Sequence, residues 1–223
     1  MDIEQARFNM VEQQIRTWDV LNPKILEALS AVKREHFVPE AYQGVAFADV
    51  EIPLTTLEHS DSNSEHMLFP KLDARFLQAL QLQGTERVLE IGTGSGYFTA
   101  LIAQLSKTVV SIEIDPLLAR DAKQRLSKYA NIELVEGDGS RGIPGREAFD
   151  VIVISGSVPV IPAALFAQLA VPGKLIAIVG KSPVMTLSLF EQLAPGQCIR
   201  KDVLETDVLP YIKNVEMPRA SLI

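Results

Sequence analysis

Three glycines spaced two residues apart follow a short apolar segment that carries an acidic residue near its end. Glycine lets the backbone turn sharply and approach a ligand where a Cβ atom would collide. If a helix begins directly after the turn, its free N–H groups can receive a nucleotide-like ligand. The turn therefore predicts a cofactor site at the end of a strand. Its candidate residues are Glu90, Gly92, Thr93, Gly94, Ser95 and Gly96.

The spacing of these glycines distinguishes between two classes of cofactor. The dinucleotide fingerprint Gly-x-Gly-x-x-Gly would place its third glycine at position 97, where this chain has Tyr97. The pattern acidic-x-Gly-x-Gly-x-Gly resembles instead the motif of class I methyltransferases. That resemblance implies S-adenosylmethionine as the cofactor, with Glu90 helping to fix its amino-acid end directly or through water. A cofactor that carries a sulfonium and an ammonium group also suits an acidic pocket.

Two further acidic positions lie where later strands of the predicted sheet end. Glu113 closes the second of these strands, where a carboxylate can accept hydrogen bonds from both ribose hydroxyls. A solvated strand end is the alternative. Gly137, Asp138 and Gly139 follow the third strand, and the resemblance implies that Asp138 faces the adenine amino group. The alternative is a plain turn, because Asp and Gly are common turn residues.

After residue 84, short apolar runs alternate with helical segments, and these elements hold the candidate residues in place. Such alternation predicts an α/β fold, a doubly wound and mostly parallel sheet with helices on both faces. The last two runs, 184–193 and 200–212, predict an antiparallel C-terminal edge. The predicted strands before them are 87–91, 108–114, 131–137, 149–155 and 173–180, and the predicted helices are 97–105, 116–129 and one beginning near Pro162.

The chain of 223 residues has the length of one domain, with an N-terminal extension over 1–69 and a cofactor-binding core over 70–223. Helical spacing predicts a first helix over 3–17 and a second that begins at Pro23. Prolines among polar runs predict a loop over 38–70, and apolar spacing resumes in a helix over 70–82. The expected inward residues of the first two helices are Phe8, Val11, Ile15, Ile25, Leu26 and Leu29.

Composition and charge argue against several classes of function. The net charge of −7, without a basic patch, argues against a nucleic-acid partner. Charges at Asp2, Glu4 and Arg7 interrupt any secretory signal, and no run has the ~20 apolar residues that span a bilayer. The single cysteine, Cys198, cannot form an internal disulfide, which favours the cytoplasm. We expect Cys198 to be a small apolar filler.

Other residues with chemical potential show no usable pattern. His36, His59 and His66 share no metal-ligand spacing and form no Ser-His-Asp arrangement, so we expect surface or loop positions and no metal site. Asp73 and Arg75 follow Pro70 on a predicted helix, and we expect them on its solvated face rather than in catalysis.

Motifs along nearly the whole chain resemble those of the protein-L-isoaspartate O-methyltransferases. The resemblance implies methyl transfer from S-adenosylmethionine to the carboxylate of damaged aspartyl residues in a protein or peptide. The matching motifs are MVEQQI at 10–15, EHFVP at 35–39, AFADVEIP at 46–53, VLEIGTGSGY at 88–97, SIEID at 111–115, GDG at 137–139, and Gln168 and Leu169 before Pro172 and Gly173.

One segment departs from this family. Its members carry a Gly-Gln-Thr-Ile-Ser-x-Pro loop beside the transferable methyl, and the Ser is regarded as an active-site residue. Here 64–70 reads SEHMLFP, so Leu68 stands at the Ser position and no catalytic residue is assigned. An inserted segment before it contains Ser60, Ser62 and Ser64, which are candidate hydroxyls, with a solvated loop as the alternative.

This departure leaves two further hypotheses about function. The enzyme could methylate another acceptor, such as a small molecule with a carboxylate or hydroxyl. The chain could also be a regulatory module that binds the cofactor without catalysis. The sequence does not indicate an oligomeric state.

Overall fold

The computed structural model describes residues 2–54, 65–208 and 212–215. Among these residues, no helix is long and apolar enough to cross a membrane. The helices are α1 (Ile3–Asn9), α2 (Pro23–Ala31), α3 (Pro70–Leu80), α4 (Tyr97–Leu105), α5 (Pro116–Leu126) and α6 (Ala163–Ala167). The strands are β1 (Ile52–Pro53), β2 (His66–Met67), β3 (Arg87–Ile91), β4 (Thr108–Glu113), β5 (Ile132–Glu136), β6 (Phe149–Val158), β7 (Leu169–Lys181), β8 (Val184–Ala194) and β9 (Gln197–Thr206).

The central sheet has seven strands in the order β5-β4-β3-β6-β7-β8-β9. The pairs among β5, β4, β3, β6 and β7 are parallel, whereas β8 and β9 add antiparallel pairs at one edge. This arrangement confirms the predicted fold class. The direction of winding reverses between β3 and β6, because β4 and β5 lie on one side of that pair and β7 on the other. Open α/β sheets bind ligands at such a reversal, outside the carboxyl ends of the strands.

Local signals in the sequence begin the helices that flank the sheet. The Asn22 side chain accepts from the Lys24 N–H, and Pro23 takes the first position of α2, where no N–H is needed. Asp115 caps α5 in the same way, accepting from two backbone N–H groups, with Pro116 next. The helix α3 ends at Leu80, two residues before its predicted end, because Gln81 adopts a left-handed conformation with φ of 53°.

The N-terminal part differs in detail from its prediction. A π-helical segment, Met10–Ile15, and a short 3₁₀ turn, Arg16–Trp18, continue α1. Val11 and Ile15 are buried as predicted, but Phe8 is 59% exposed. The change from α to π hydrogen bonding at Met10 rotates the inward face, so Phe8 no longer shares it. The predicted loop over 38–70 includes a 3₁₀ helix, Glu40–Val45, and the pair β1 and β2, and residues 55–64 lie outside the described part.

A second correction concerns Cys198, which is exposed rather than a buried filler. It lies on β9, and the first residues of that strand are exposed because β9 is the free edge of the sheet. Edge strands bury less of each side chain than central ones, and the sequence alone does not say which strand becomes the edge.

One hydrophobic cluster joins the N-terminal part to the core. Ile15, Leu29 and Ile52 belong to the same cluster of buried residues as Val88 and Ile176 of the sheet. This shared core supports the prediction that the extension and the cofactor-binding core form a single domain.

The Arg34 side chain connects three segments inside this core and is fully buried. Its Nε donates to the Ala46 carbonyl at 3.1 Å, and its Nη2 to the Leu68 carbonyl at 2.9 Å. Its Nη1 lies 3.2 Å from Oδ2 of Asp73, with both side chains 3% exposed or less. The expectation that Asp73 lies on a solvated helix face is therefore wrong, since Asp73 turns inward to pair with Arg34. Arg75 is half-buried and donates to the Trp18 carbonyl at 3.1 Å.

We predict that Arg34→Met lowers the free energy of unfolding by about 3–5 kcal/mol, because it leaves a buried carboxyl without its partner. The matched control is Arg16→Met, whose ion pair with Glu12 is exposed on both sides. That change should cost about 0–1 kcal/mol. Urea denaturation measures both, and equal losses for the two variants would contradict the assigned role of Arg34.

Candidate functional site

A cleft opens at the carboxyl ends of β3, β4 and β6, where the winding of the sheet reverses. It contains about 990 Å³ of space including its open mouth. The structure brings together most of the predicted cofactor residues here. Those lining the cleft are Gly92, Thr93, Gly94, Ser95, Glu113, Asp138 and Gly139, whereas Glu90, Gly96 and Gly137 lie behind its wall.

The glycine turn between β3 and α4 has the backbone that the sequence predicts. Gly92 and Gly96 have φ of 94° and 85°, a region that side chains with a Cβ rarely adopt. Gly96 precedes the first residue of α4, and its N–H donates to the Thr93 carbonyl at 2.9 Å. The turn therefore places the start of α4 beside the cleft.

Glu113 connects the end of β4 to this turn. Its Oε2 accepts from the Gly94 N–H at 2.8 Å, and its Oε1 accepts from the Asp115 N–H at 3.0 Å. The residue is 5% exposed, so the alternative of a solvated strand end is wrong. A carboxylate can accept about four hydrogen bonds, which leaves capacity for a ligand in the cleft.

Asp138 lies at the mouth of the cleft with both oxygens engaged. Oδ1 accepts from the Ser140 N–H at 2.8 Å and Oδ2 from the Asn214 amide at 3.0 Å. Partial burial raises the pKa of Asp138, but these hydrogen bonds outweigh it and the net pKa is lowered. The next residue must be glycine for packing, since a Cβ on Gly139 would lie 2.6 Å from a methyl of Ile112.

Glu90 is fully buried and does not line the cleft. Its Oε2 accepts from Thr99 at 2.5 Å and from Ser111 at 2.7 Å, and its Oε1 accepts from Ser155 at 2.8 Å. Burial raises the pKa of Glu90 to about 7 although the three hydroxyls oppose the shift. Ser155 does line the cleft, so its hydroxyl stands between the carboxyl and any ligand. The sequence did not single out Ser155.

The C-terminal segment 212–215 covers part of the cleft. The Ile212 N–H donates to the Ser157 carbonyl at 2.9 Å, and its side chain lies 3.2 Å from where a Cβ on Gly92 would be. Lys213 Nζ lies 2.5 Å from Oε1 of Glu65, which precedes β2. Sequence reasoning missed these residues, because contacts between distant segments leave no local pattern.

The lining of the cleft also contains the segment that departs from the family pattern. Leu68 lines the cleft and is 8% exposed, and Asp73 and Tyr97 lie beside it in the lining. The candidate hydroxyls Ser60, Ser62 and Ser64 lie outside the described residues. In the part that is described, the wall nearest Leu68 therefore contains an acidic group where the sequence predicted none.

The histidines have different positions. His66 lies on β2, lines the cleft and is half-buried, so the expected surface or loop position is wrong for this residue. Burial lowers the pKa of His66, and Glu65 opposes the shift. His36 is exposed as expected, and His59 is not among the described residues. No cluster of metal-ligating side chains occurs in the described ranges.

Comparisons with known proteins agree with this geometry. Residues 5–216 match the family described as Protein-L-isoaspartate(D-aspartate) O-methyltransferase. The chain is 40% identical to the Protein-L-isoaspartate O-methyltransferase of Syntrophus aciditrophicus, covering 78% of this chain and 77% of that one. It is 41% identical to the protein of the same name from Myxococcus xanthus, covering 70% and 72%.

Solved structures show the same likeness. One protein-L-isoaspartate O-methyltransferase superposes with a TM-score of 0.78 at 25% identity, covering 93% of this chain and 65% of that one. A Plasmodium falciparum protein, described as a putative enzyme of this kind in complex with S-adenosyl-L-homocysteine, has a TM-score of 0.74 at 16% identity. It covers 96% of this chain and 99% of its own. At that identity the second likeness bears on the fold alone.

The raised pKa of Glu90 predicts a pH-dependent stability. A carboxyl whose pKa rises from 4.5 to about 7 on folding stabilises the ligand-free protein at low pH. That contribution is lost as the pH rises from about 4.5 through 7. We predict that the thermal midpoint falls less over this range in Glu90→Gln than in the unmodified protein. Glu147→Gln, on the exposed surface, is the control and should reproduce the unmodified profile. Identical profiles for all three proteins would contradict the assignment.

Proposed function

Because the chain belongs to the protein-L-isoaspartate(D-aspartate) O-methyltransferase family and is an S-adenosylmethionine-dependent O-methyltransferase, we propose that it methylates the free carboxylate of isoaspartyl residues in damaged proteins or peptides. The observation that carries this proposal is the family match over residues 5–216. That match includes the cleft core and also Leu54 and residues 65–68, which line the cleft from the N-terminal part. It therefore supports the acceptor as well as the cofactor.

The cleft suits S-adenosylmethionine on the chemistry of its donors and acceptors. We propose that Glu113 receives the ribose hydroxyls, and that Asp138 and Gly139 border the adenine. Gly92, Thr93, Gly94 and Ser95 would pass beneath the cofactor, since their turn lets the backbone approach closely. Glu90, Gly96 and Gly137 would act from behind the wall by holding this surface in place. When bound, the cofactor supplies the electrophilic methyl group.

The residues of the chain need to position and shield the reactants. A carboxylate acceptor with a reference pKa near 4 is already ionised at neutral pH, so its attack needs no general base. Holding an acceptor oxygen in line with a methyl lowers the activation barrier by up to ~7–11 kcal/mol. An apolar wall excludes water and so favours a transfer that spreads charge. The apolar side chains that line the cleft include Leu54, Met67, Leu68, Phe98, Val208 and Ile212.

Leu68 fits this role although it carries no hydroxyl. Its carbonyl is fixed by the buried Arg34, so the backbone beside the cleft has a defined position. We propose that this segment acts through its shape and backbone, and that a Leu side chain contributes to the dry wall. The predicted location in the cytoplasm and the predicted lack of a nucleic-acid partner stay predictions.

The decisive experiment is transfer of labelled methyl from S-adenosylmethionine to a synthetic isoaspartyl peptide. The peptide with normal aspartate at the same position is the control. We expect label in the isoaspartyl peptide and none above background in the other. Calorimetric binding of S-adenosylhomocysteine is measured first, because a protein that binds it but labels neither peptide would contradict the proposed acceptor.

The cofactor assignment has its own test in Glu113→Ala. Charged hydrogen bonds contribute about 1.5–3 kcal/mol each, so we predict that this variant binds S-adenosylhomocysteine at least about tenfold more weakly. The control is Glu136→Ala, which also ends a strand of the sheet but is exposed. Calorimetry measures both, and an unchanged affinity for Glu113→Ala would exclude Glu113 from the ribose subsite.

A further inference from the structure

The cleft is acidic although its proposed acceptor is an anion. Among the described residues that line it, Lys213 and His66 are the side chains that can carry a positive charge. Lys213 is paired with Glu65, and this hydrogen bond, with the charges of Asp115 and Glu113, raises the pKa of Lys213. His66 therefore remains as the group that can meet an acceptor carboxylate. The carboxyl groups in the described lining are Glu65, Asp73, Glu113 and Asp138.

His66 belongs to the segment that departs from the family pattern. It precedes Leu68 by two residues, and both residues line the cleft. In the loop Gly-Gln-Thr-Ile-Ser-x-Pro, aligned so that Leu68 stands at Ser, the position of His66 is that of Thr. Leu68 has no side-chain donor, so an acceptor carboxylate that meets this segment finds a donor in the imidazole of His66.

A carboxyl group lies next to the imidazole. Nε2 of His66 is 3.6 Å from Oε2 of Glu51, and both side chains are half-buried. That separation is longer than a hydrogen bond but within the range of an ion pair. The other oxygen, Oε1 of Glu51, is buried and has no hydrogen-bond partner within the described ranges. Glu51 is thus placed to stabilise a positive charge on the ring.

We propose that His66 is an acceptor-binding residue, whose protonated imidazole donates to the free carboxylate of the isoaspartyl residue while Glu51 stabilises the charged ring. Glu51 is a positioning residue, because it acts through His66. This inference rests on the proposed isoaspartyl acceptor. It adds the side chain that recognises the charge of that acceptor in a chain where Leu68 stands at the position of the family Ser.

The charge on His66 follows the reaction. Burial lowers the pKa of His66 despite the charge of Glu65, so its imidazole is neutral at pH 7 while the cleft is empty. An acceptor carboxylate beside the ring favours the protonated form, so the ring takes up one proton from water when the acceptor binds. Methyl transfer forms the bond from the acceptor oxygen to the methyl carbon and breaks the S–CH₃ bond, whose electron pair goes to sulfur. The resulting ester is neutral, so the ring returns its proton to water and holds the product less tightly.

The charged groups around His66 come from three segments. Glu51 before β1 and Glu65 before β2 favour the protonated ring, and Lys213 of the C-terminal segment offsets Glu65 through their ion pair. Asp207 after β9 acts on Glu51, because burial and this neighbouring charge raise the pKa of Glu51. A positive ring beside Glu51 would offset that repulsion. The other titratable groups in the described lining are Asp73, Tyr97, Glu113 and Asp138.

The test measures methyl transfer to an isoaspartyl peptide at several peptide concentrations between about pH 6 and 8.5, with saturating S-adenosylmethionine. Between the pKa of His66 in the empty cleft and its higher pKa beside the acceptor, affinity for the acceptor falls by at most about tenfold per pH unit. We therefore expect KM for the peptide to rise with pH in the unmodified protein, with a smaller change in kcat.

Three variants separate His66 from the other titrating groups. His66→Gln cannot take up a proton, so its KM should change little with pH. At pH 6 that KM should exceed the unmodified value at least about tenfold, because a charged hydrogen bond is lost. Glu51→Gln should move the rise in KM to lower pH. His36→Gln changes an exposed histidine and should reproduce the unmodified profile.

A further control needs no variant. The same peptide with a primary amide in place of the free carboxylate is used as a competitive inhibitor of the unmodified protein. Its inhibition constant should not follow pH, because the amide brings no negative charge to the ring of His66. Equal pH dependences for the amide and the carboxylate peptide would overturn the role of His66, even if His66→Gln fails to fold.

The outcomes also distinguish this inference from the proposed function. If the unmodified protein labels the isoaspartyl peptide and His66→Gln shows the same KM at every pH, the inference alone is overturned. If the unmodified protein binds S-adenosylhomocysteine but labels no isoaspartyl peptide, the proposed acceptor is overturned and this inference falls with it.

Discussion

The part of the cleft that Leu68 and Asp73 line depends on one constraint, which is the burial of the Arg34 guanidinium. A fully buried guanidinium is tolerated only if its donors find acceptors. Each of its three nitrogens donates to a different segment, at Ala46, Leu68 and Asp73. The ring of Tyr97 lies 4.7 Å from the same group, so α4 joins the arrangement. The loop, the helix α3 and the start of α4 therefore occupy fixed positions around one charge.

The segments around Arg34 lie beside the glycine turn, where the direction of winding of the sheet reverses. The turn follows from the need of β3 to end and α4 to begin within a few residues, which Gly92 and Gly96 make possible through positive φ. The carboxyl edge of the sheet supplies the ribose side through Glu113, which is itself tied to Gly94. The backbone of the glycine turn thus forms one wall of the cleft, and the segments that are held by the buried Arg34 and Asp73 form another.

The sequence predicted the parts of this arrangement that local chemistry determines. Apolar runs defined the strands, and the starts of two helices at positions 23 and 116 were predicted correctly. The glycine turn was equally visible, because its spacing is itself the signal. Asp73 was not, since its burial depends on a partner on a distant segment.

The same reason explains the other corrections. Glu90 was predicted to help fix the amino-acid end of the cofactor directly or through water, and that role stays a prediction; the structure places it behind the cleft wall, with Ser155 donating to its carboxylate. Ser155 became visible only when β6 was placed beside β3. Phe8 and Cys198 were misplaced because a π-helical segment and an edge strand are outcomes of tertiary packing.

The ion pair between Lys213 and Glu65 has a consequence for the rate at which the cleft exchanges its contents. It joins the C-terminal segment to the chain before β2, and 52% of the lysine side chain is exposed. An exposed pair of this kind contributes only about 0–1 kcal/mol and is weakened by salt. The pair therefore adds little to the hydrogen bonds of Ile212 and Asn214 that hold the segment against the cleft, so we expect release of spent cofactor to depend on those two contacts more than on salt concentration.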